Sequence, residues 1–221
     1  MTPRGKYTPS LKYFRVKRSA TPFLPESYIV LTNLDAQQLP TMNYCHQCGA
    51  PVELRIPPGD SLPRHVCPRC EAIHYLNPKL VVGCVAEWQG KILLCRRAIE
   101  PRHGYWTLPA GFMENGESTV EAAQRETFEE ACAQVKIDAL FSLINIPHID
   151  QVHLFYRGRM LDGDYAPGVE SLETALFAEA DIPWQEIAFR SVTHCLKSYL
   201  TDRGNGHFGF HEDVLTPSDD Y

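Results

Sequence analysis

Residues 111–132 read Gly-Phe-Met-Glu-Asn-Gly-Glu-Ser-Thr-Val-Glu-Ala-Ala-Gln-Arg-Glu-Thr-Phe-Glu-Glu-Ala-Cys. A glycine loop runs into a carboxylate-rich helix, and no other stretch constrains the chain as much. Ser118 is an N-cap whose hydroxyl can accept from early helical N–H groups, and Glu121 stands three residues on, where it completes a capping box. The helix is therefore predicted to begin near Thr119. At about 100° per residue, Glu126, Glu129 and Glu130 fall within one arc, with Val120, Thr127, Phe128 and Ala131 on the other side. The expectation is one packed face and one carboxylate face. Like charges at this spacing destabilise an isolated helix by about 0.2–0.5 kcal/mol per pair. The pattern therefore asks for compensation. A divalent cation with a taste for hard oxygen ligands, Mg²⁺ or Mn²⁺, would supply it. A solvated acidic face is the alternative reading.

Gly111, Glu117, Arg125, Glu126, Glu129 and Glu130 are in register with a glycine, five residues, Glu, seven residues, Arg-Glu, two residues, Glu-Glu. The string resembles the Nudix box. Thr127 stands where that family usually has an aliphatic residue, and Ala131 where it usually has glycine. Neither is a ligand position, so the departures bear on helix packing and on the helix C-terminus. The resemblance implies an α/β/α sandwich with a mixed sheet, whereas periodicity alone gives α/β or α+β. It also implies Mg²⁺ or Mn²⁺ held by the Gly111 carbonyl, Glu126, Glu129 and Glu130. Glu129 or Glu130 is the expected general base, with Glu170 and Glu173 as outside candidates. Arg125 and Glu117 are expected to form an ion pair bracing loop against helix.

Upstream, Cys45-His-Gln-Cys48 and Cys67-Pro-Arg-Cys70 are separated by 18 residues. Two close thiolate pairs at this spacing can close a tetrahedral shell around a structural Zn²⁺, and so small a segment has little apolar surface to fold on without one. Two disulfides or four unligated thiols are the alternatives, and His46 and His65 are neighbouring alternative ligands. Gly49 allows the tight turn after the first pair. The arginines of this segment, Arg55, Arg64 and Arg69, are few and interleave with no aromatic ladder, which argues against a nucleic-acid reader.

The expected layout is an extension over 1–41, a zinc ribbon over 42–76, a hydrolase domain over 77–205 and a loosely ordered tail over 206–221. The extension carries Arg4, Lys6, Lys12, Arg15, Lys17 and Arg18 with no acidic residue before Glu26. It reads as a disordered arm, a non-native start ahead of Met42, or an organelle transit peptide. Within the main domain, Lys79 to Trp88 and Lys91 to Arg97 are predicted as a hairpin turning at Gln89-Gly90. Val135 to Ile146, Val152 to Leu161 and Glu173 to Ala178 are predicted as further strands, and Ser191 to Thr201 as a helix. Cys84, Cys95, Cys132 and Cys195 read as small buried hydrophobes.

The 21 basic and 27 acidic residues give a net charge of −6, which does not favour nucleic acid or an anionic membrane as partner. No stretch approaches the roughly 20 apolar residues of a membrane-spanning helix. A reducing, cytoplasmic location is expected, or an organelle if the extension is a transit peptide, with a small nucleotide as partner and a homodimer by analogy. A zinc ribbon ahead of a Nudix box is similar to the NADH pyrophosphatases, but their Ser-Gln-Pro-Trp-Pro-Phe-Pro element is absent from the corresponding stretch, Ser142 to Gln151. Asn77 to Gly83, His103 to Gly111 and Pro167 to Glu173 instead resemble the FAD-diphosphatase branch. The resemblance, from about Tyr44 to His211, implies cleavage of a nucleoside diphosphate linked to another moiety. FAD or ADP-ribose comes first and NADH next. The alternatives are a nucleotide-binding regulator without turnover and an RNA-end hydrolase.

Overall fold

The computed structural model describes residues 42–217, so the expectations for 1–41 lie outside the described residues. The chain divides into two compact units at Ile73/His74. In the first, β1 (Glu53–Arg55), β2 (Arg64–Val66) and β3 (Ile73–His74) form a three-stranded sheet in that order. Its apolar interior is slight: among the described residues of this unit, Cys45, Val66 and Cys67 are the buried hydrophobic ones. Tyr44, Leu54, Ile56 and Leu62 stay exposed. Burial of this size cannot offset the ordering of some thirty residues at about 1–2 kcal/mol each, so the cysteine site must hold the unit together.

The second unit is built on β4 (Lys79–Trp88), β5 (Lys91–Arg97), β6 (Trp106–Thr107), β7 (Ala110–Phe112), α1 (Thr119–Ala131), β8 (Val135–Ile146), β9 (Gln151–Met160), β10 (Ser171–Phe177), α2 (Arg190–Asn205) and β11 (His211–Val214). The sheet order is β10-β5-β4-β9-β8-β11. The β4/β9 and β8/β11 pairs are parallel, and the other pairs in that order are antiparallel. It is the mixed sheet with two helices that the resemblance implies. The period-2 rule explains how it is covered on both faces. Val85, Ile92, Leu94, Phe141, Ile144 and Phe155 cluster with Val192, Cys195, Leu196 and Tyr199 of α2. Their alternating neighbours Cys84, Ala86, Leu93 and Cys95 cluster with Ala131, and Val82, Leu154 and Tyr156 with Ala122 and Ala123 of α1. Strands buried on both sides must be nearly continuous in apolar residues, as β4 is.

The sheet forks at β4. Its last residues pair with β5 through Glu87↔Ile92 and Trp88↔Lys91, while Val81, Val82 and Gly83 pair with Phe112, Gly111 and Ala110 of β7. The far half of β5 pairs with β6 through Cys95↔Thr107 and Arg96↔Trp106. This divergence opens a cleft of about 850 Å³, lined by residues from β7, α1, the start of β9 and the start of α2.

Three expectations are corrected: Cys132, left-handed at the end of α1, is exposed, while Cys84, Cys95 and Cys195 are buried as expected. Residues 206–217 are not a loose tail: β11 extends the sheet in parallel with β8, Leu215 is buried, and Phe208 packs on Phe141 and Tyr199. Its polar strand sequence, His-Glu-Asp-Val, carries no alternation to announce it. The faces of α1 also differ from the simple division. Its buried positions are Ala122, Ala123, Glu126, Thr127, Glu130 and Ala131, while Val120 and Phe128 are exposed. Phe128 sits about 200° round the helix from Glu126. The buried arc is centred between Ala123 and Glu130 and includes Glu126, so the two carboxylates face inward.

Candidate functional site

The start of α1 forms as its sequence dictates. Ser118 has extended backbone, its Oγ accepts from the Glu121 N–H, and the Glu121 carboxylate accepts from the Ser118 N–H at 2.7 Å. Both halves of the capping box are present. At the other end, Cys132 takes the left-handed conformation, φ 50°, and its N–H donates to the Phe128 carbonyl. The left-handed residue is thus the one after Ala131. The Thr127 hydroxyl donates to the Ala123 carbonyl at 2.7 Å, which satisfies a buried polar group inside the helix.

Arg125 organises the entering loop. Its Nε and Nη2 donate to the two oxygens of Glu117 at 3.0 and 2.7 Å, and Nη2 also donates to the Phe112 carbonyl. Glu117 in turn accepts from the Glu114 N–H at 2.6 Å. The Arg125 guanidinium, followed by the Glu114 N–H, holds the Glu117 carboxyl down at about 2. The bidentate pair ties loop to helix, in the place and role the sequence reading gave it. Arg125 Nη1 also donates to Glu126 at 2.7 Å and Glu129 at 2.8 Å. Part of the charge compensation assigned to a cation is therefore made by an arginine.

Glu126 and Glu130 are 8% and 7% exposed. Burial, against the pull of Arg125, raises the Glu126 carboxyl. Burial pushes Glu130 up to about 8, opposed by the Ala110 N–H that donates to it at 3.2 Å and reinforced by the charge of Glu126. Two anions one turn apart, both resisting ionisation, make a site short of positive charge. Gly111 lies under them: a Cβ there would sit 2.5 Å from Glu126 Oε1. Only glycine lets the β7 main chain approach so closely. The donors are all hard oxygens, which fits Mg²⁺ or Mn²⁺. Among the described residues, the group of three or more acidic, His or Cys side chains with ligand atoms within 4.8 Å of one another is the four cysteines, not these glutamates. Arg125 Nη1 stands between Glu126 and Glu129.

The outside candidates separate. Glu170 lines the cleft, and its charge raises both Glu126 and Glu130. Its loop is held on α1: the Gly168 N–H donates to the Glu130 carbonyl, and a Cβ at Gly168 would overlap the Glu129 carbonyl oxygen. Glu173 is not in the cleft. It lies 3.6 Å from Arg96 on β5, which removes it as a catalytic candidate. Of the tyrosines on neighbouring segments, Tyr156 is buried with its hydroxyl on Thr119, and Tyr105 carries Arg102 over its ring. The cleft offers Phe112, half exposed with Lys79 over its ring, and Phe189 with Arg97 over its ring. It also holds a buried His153 between Ser191 and Gln151. Spacing gave no signal for these residues, because three separate elements bring them together.

In the first unit, Cys45 and Cys70 Sγ are 3.6 Å apart, Cys48 and Cys67 Sγ 3.5 Å, and all four lie within 4.8 Å of one another. The edge of a tetrahedron with Zn–S bonds of about 2.3 Å is about 3.8 Å, against about 2.05 Å for a disulfide. The geometry fits a metal, and no disulfide forms. Two matching turns present the sulfurs: Gly49 N–H donates to the Cys45 carbonyl with φ 71°, and Glu71 N–H to the Cys67 carbonyl with φ 59°. Within the cluster the thiols share their protons unequally: the Cys70 N–H leads in drawing the Cys67 thiol down to about 7, while Cys70 is pushed up to about 12. His46 and His65 are not in the cluster.

Comparison with known proteins agrees with both units. The family model described as Nudix N-terminal, a zinc-ribbon family, matches residues 43–76, and the NUDIX domain matches residues 77–195. A solved NUDIX hydrolase from Nitrosomonas europaea is 53% identical, with a TM-score of 0.77 over 79% of this chain and 99% of that one. An ADP-ribose pyrophosphatase of Methanocaldococcus jannaschii is 30% identical over 49% of this chain and 67% of its own length. The NAD-capped RNA hydrolase NudC of Photobacterium profundum is 30% identical over 66% of this chain, which spans 53% of that relative. The chain thus covers about half the length of the latter. No helix among the described residues is long and apolar enough to cross a membrane. With a box in register, its glutamates drawn into a cleft and a matching domain over more than half the sequence, the chain belongs to the Nudix hydrolases.

Proposed function

We propose that the protein is a Mg²⁺-dependent, or Mn²⁺-dependent, pyrophosphohydrolase. It splits the diphosphate of a nucleoside diphosphate linked to another moiety, with FAD and ADP-ribose as first substrates and NADH next. The observation that carries this reading is the pair of buried glutamates, Glu126 and Glu130, at one wall of a cleft large enough for such a molecule. Glu126, Glu129, Glu130 and the Gly111 carbonyl are the residues that would hold the ion. When bound, it neutralises the diphosphate and acidifies a water for attack on phosphorus.

The remaining work falls to the chain itself. Glu130, whose carboxyl sits at about 8 in its buried setting, is poised to take a proton near neutral pH and is our assignment for the general base. Glu129 is the alternative within the box, and Glu170, held at the cleft by Gly168, is the alternative outside it. Arg125 and Glu117 fix the loop so that Gly111 and the helix keep their spacing. The four cysteines hold a structural Zn²⁺.

The relative named as an NAD-capped RNA hydrolase supports a second substrate class, a dinucleotide on an RNA end. The test is a panel of FAD, ADP-ribose, NADH, CoA and an NAD-capped RNA, with and without Mg²⁺ and with products identified. Mg²⁺-dependent release of two monophosphates from a dinucleotide is expected. Tight nucleotide binding with no phosphate product would replace the enzyme by a binding protein.

A further inference from the structure

The cleft wall formed by the start of β9 and the first turn of α2 contains a hydrogen-bonded row with a fixed direction. His153 Nε2 lies 2.9 Å from Gln151 Oε1, and His153 Nδ1 lies 2.9 Å from Ser191 Oγ. An amide oxygen carries no hydrogen, so Nε2 must donate to it. Nδ1 is then the bare nitrogen and accepts from the Ser191 hydroxyl. Burial holds the imidazole down at about 4, so it stays neutral and keeps this one tautomer throughout the neutral range. Ser191 is 1% exposed and His153 8% exposed. They are almost enclosed in the cleft wall, and the row ends at Gln151, the half-buried and more accessible of the three.

The consequence concerns which atoms Gln151 can offer. Its Oε1 is turned to His153, and no acceptor among the described residues takes its Nε2 hydrogens. Ile149, Val192, Phe189 and Leu215 line the same cleft and give it apolar surface suited to a flat ring. A glutamine free to rotate reads donors and acceptors alike; this one presents a donor.

Resting on the pyrophosphohydrolase reading, we propose that Gln151 is a specificity-determining residue whose amide donates to a ring carbonyl of the substrate's heterocycle, with His153 and Ser191 as positioning residues. Substrates carrying a carbonyl-bearing ring, such as a flavin or an oxopurine, are then preferred to those presenting only the amino edge of adenine. FAD ranks ahead of ADP-ribose on this ground.

The experiment compares ADP-ribose with inosine diphosphate ribose, which differ by an amino against an oxo group on the purine. Affinities are measured by calorimetry in Mg²⁺-free buffer, so that turnover does not intrude. The parent is expected to bind the inosine compound about tenfold more tightly, the worth of one ordinary hydrogen bond. Q151L should bring the ratio to about one. Q151E, which keeps an oxygen for His153 and replaces the donor by an acceptor, should reverse it. S191A should shrink the ratio and S191T, which keeps the hydroxyl, should restore it, with thermal midpoints reporting that each variant is folded. A parent ratio near one, or a preference that survives Q151L, overturns the assignment. A preserved preference without cleavage of any dinucleotide would overturn the hydrolase reading and leave Gln151 in its role.

Discussion

Replacing Glu130 by Gln is expected to make the Mg²⁺-free protein more stable as pH rises, and to make the enzyme fail. The Glu130 carboxyl is 7% exposed and sits at about 8 when folded, against the ordinary 4.5. A group raised on folding contributes stability that is fully present below its unfolded value and is lost as pH climbs through its folded value. The window is thus pH 4.5 to 8. Between pH 4.5 and 7 the loss is about 3 kcal/mol at about 1.4 kcal/mol per pH unit. For a chain of this size that is about 6–12 °C in thermal midpoint. Gln keeps an oxygen for the Ala110 N–H and removes the titration. Any penalty of its own is independent of pH, so the readout is how the difference between E130Q and parent changes. Calorimetry in Mg²⁺-free buffer, without chelator so that the cysteine site is undisturbed, should show that difference widening by about 6–12 °C between pH 4.5 and 7. Added Mg²⁺ should narrow it. Turnover of FAD or ADP-ribose by the same variant should fall by at least about 10²-fold. A difference that stays constant across pH would refute the claim that Glu130 is a buried, charge-starved carboxylate.

Other expectations use different parts of the site. G111A should lose at least about tenfold in kcat while remaining folded by circular dichroism, because its Cβ takes the space of the Glu126 carboxylate. R125K keeps the charge but not the two-pronged contact with Glu117; its kcat should drop while E173Q, outside the cleft, matches the parent. G168A should push the loop carrying Glu170 off α1, and limited proteolysis near residue 168 should quicken. C67S should release the metal from the ribbon, measured as loss of stoichiometric zinc by elemental analysis.

What the sequence announced was local. The capping box of Ser118 and Glu121, the turn at Gln89-Gly90 and the apolar runs of β4 and β5 depend on residues a few positions apart, and they form where spacing places them. Strand β8 falls on Val135–Ile146, and β9 begins one residue earlier than expected. The box resemblance placed Glu117 against Arg125, whereas the close approach of Gly111 to Glu126 emerged only in the fold. It could not say that Glu126 and Glu130 face inward, since a helical wheel has no centre until its neighbours are known. Here the neighbours are alanines, Ala122, Ala123 and Ala131, whose small side chains let the helix settle close to the sheet. Phe128, the bulkiest apolar residue of the helix, is left outside.

The cleft wall of β9 and α2 was illegible for a similar cause. His153 is an interior residue of a strand in which Leu154 and Phe155 point to opposite faces, and its polar character would ordinarily place it in water. Instead its ring is enclosed because Ser191, 38 residues later, meets one nitrogen and Gln151 meets the other. Burying an imidazole without partners costs several kcal/mol in the least favourable reference states and at least about 1–3 in proteins. A chain selected only for stability could place a leucine there at no such risk. A buried, fully hydrogen-bonded histidine whose last link opens on a cleft therefore acts on the cleft. On the proposed function, the glutamates set what is broken, and this wall, assembled from β9 and α2, sets what is held while it breaks.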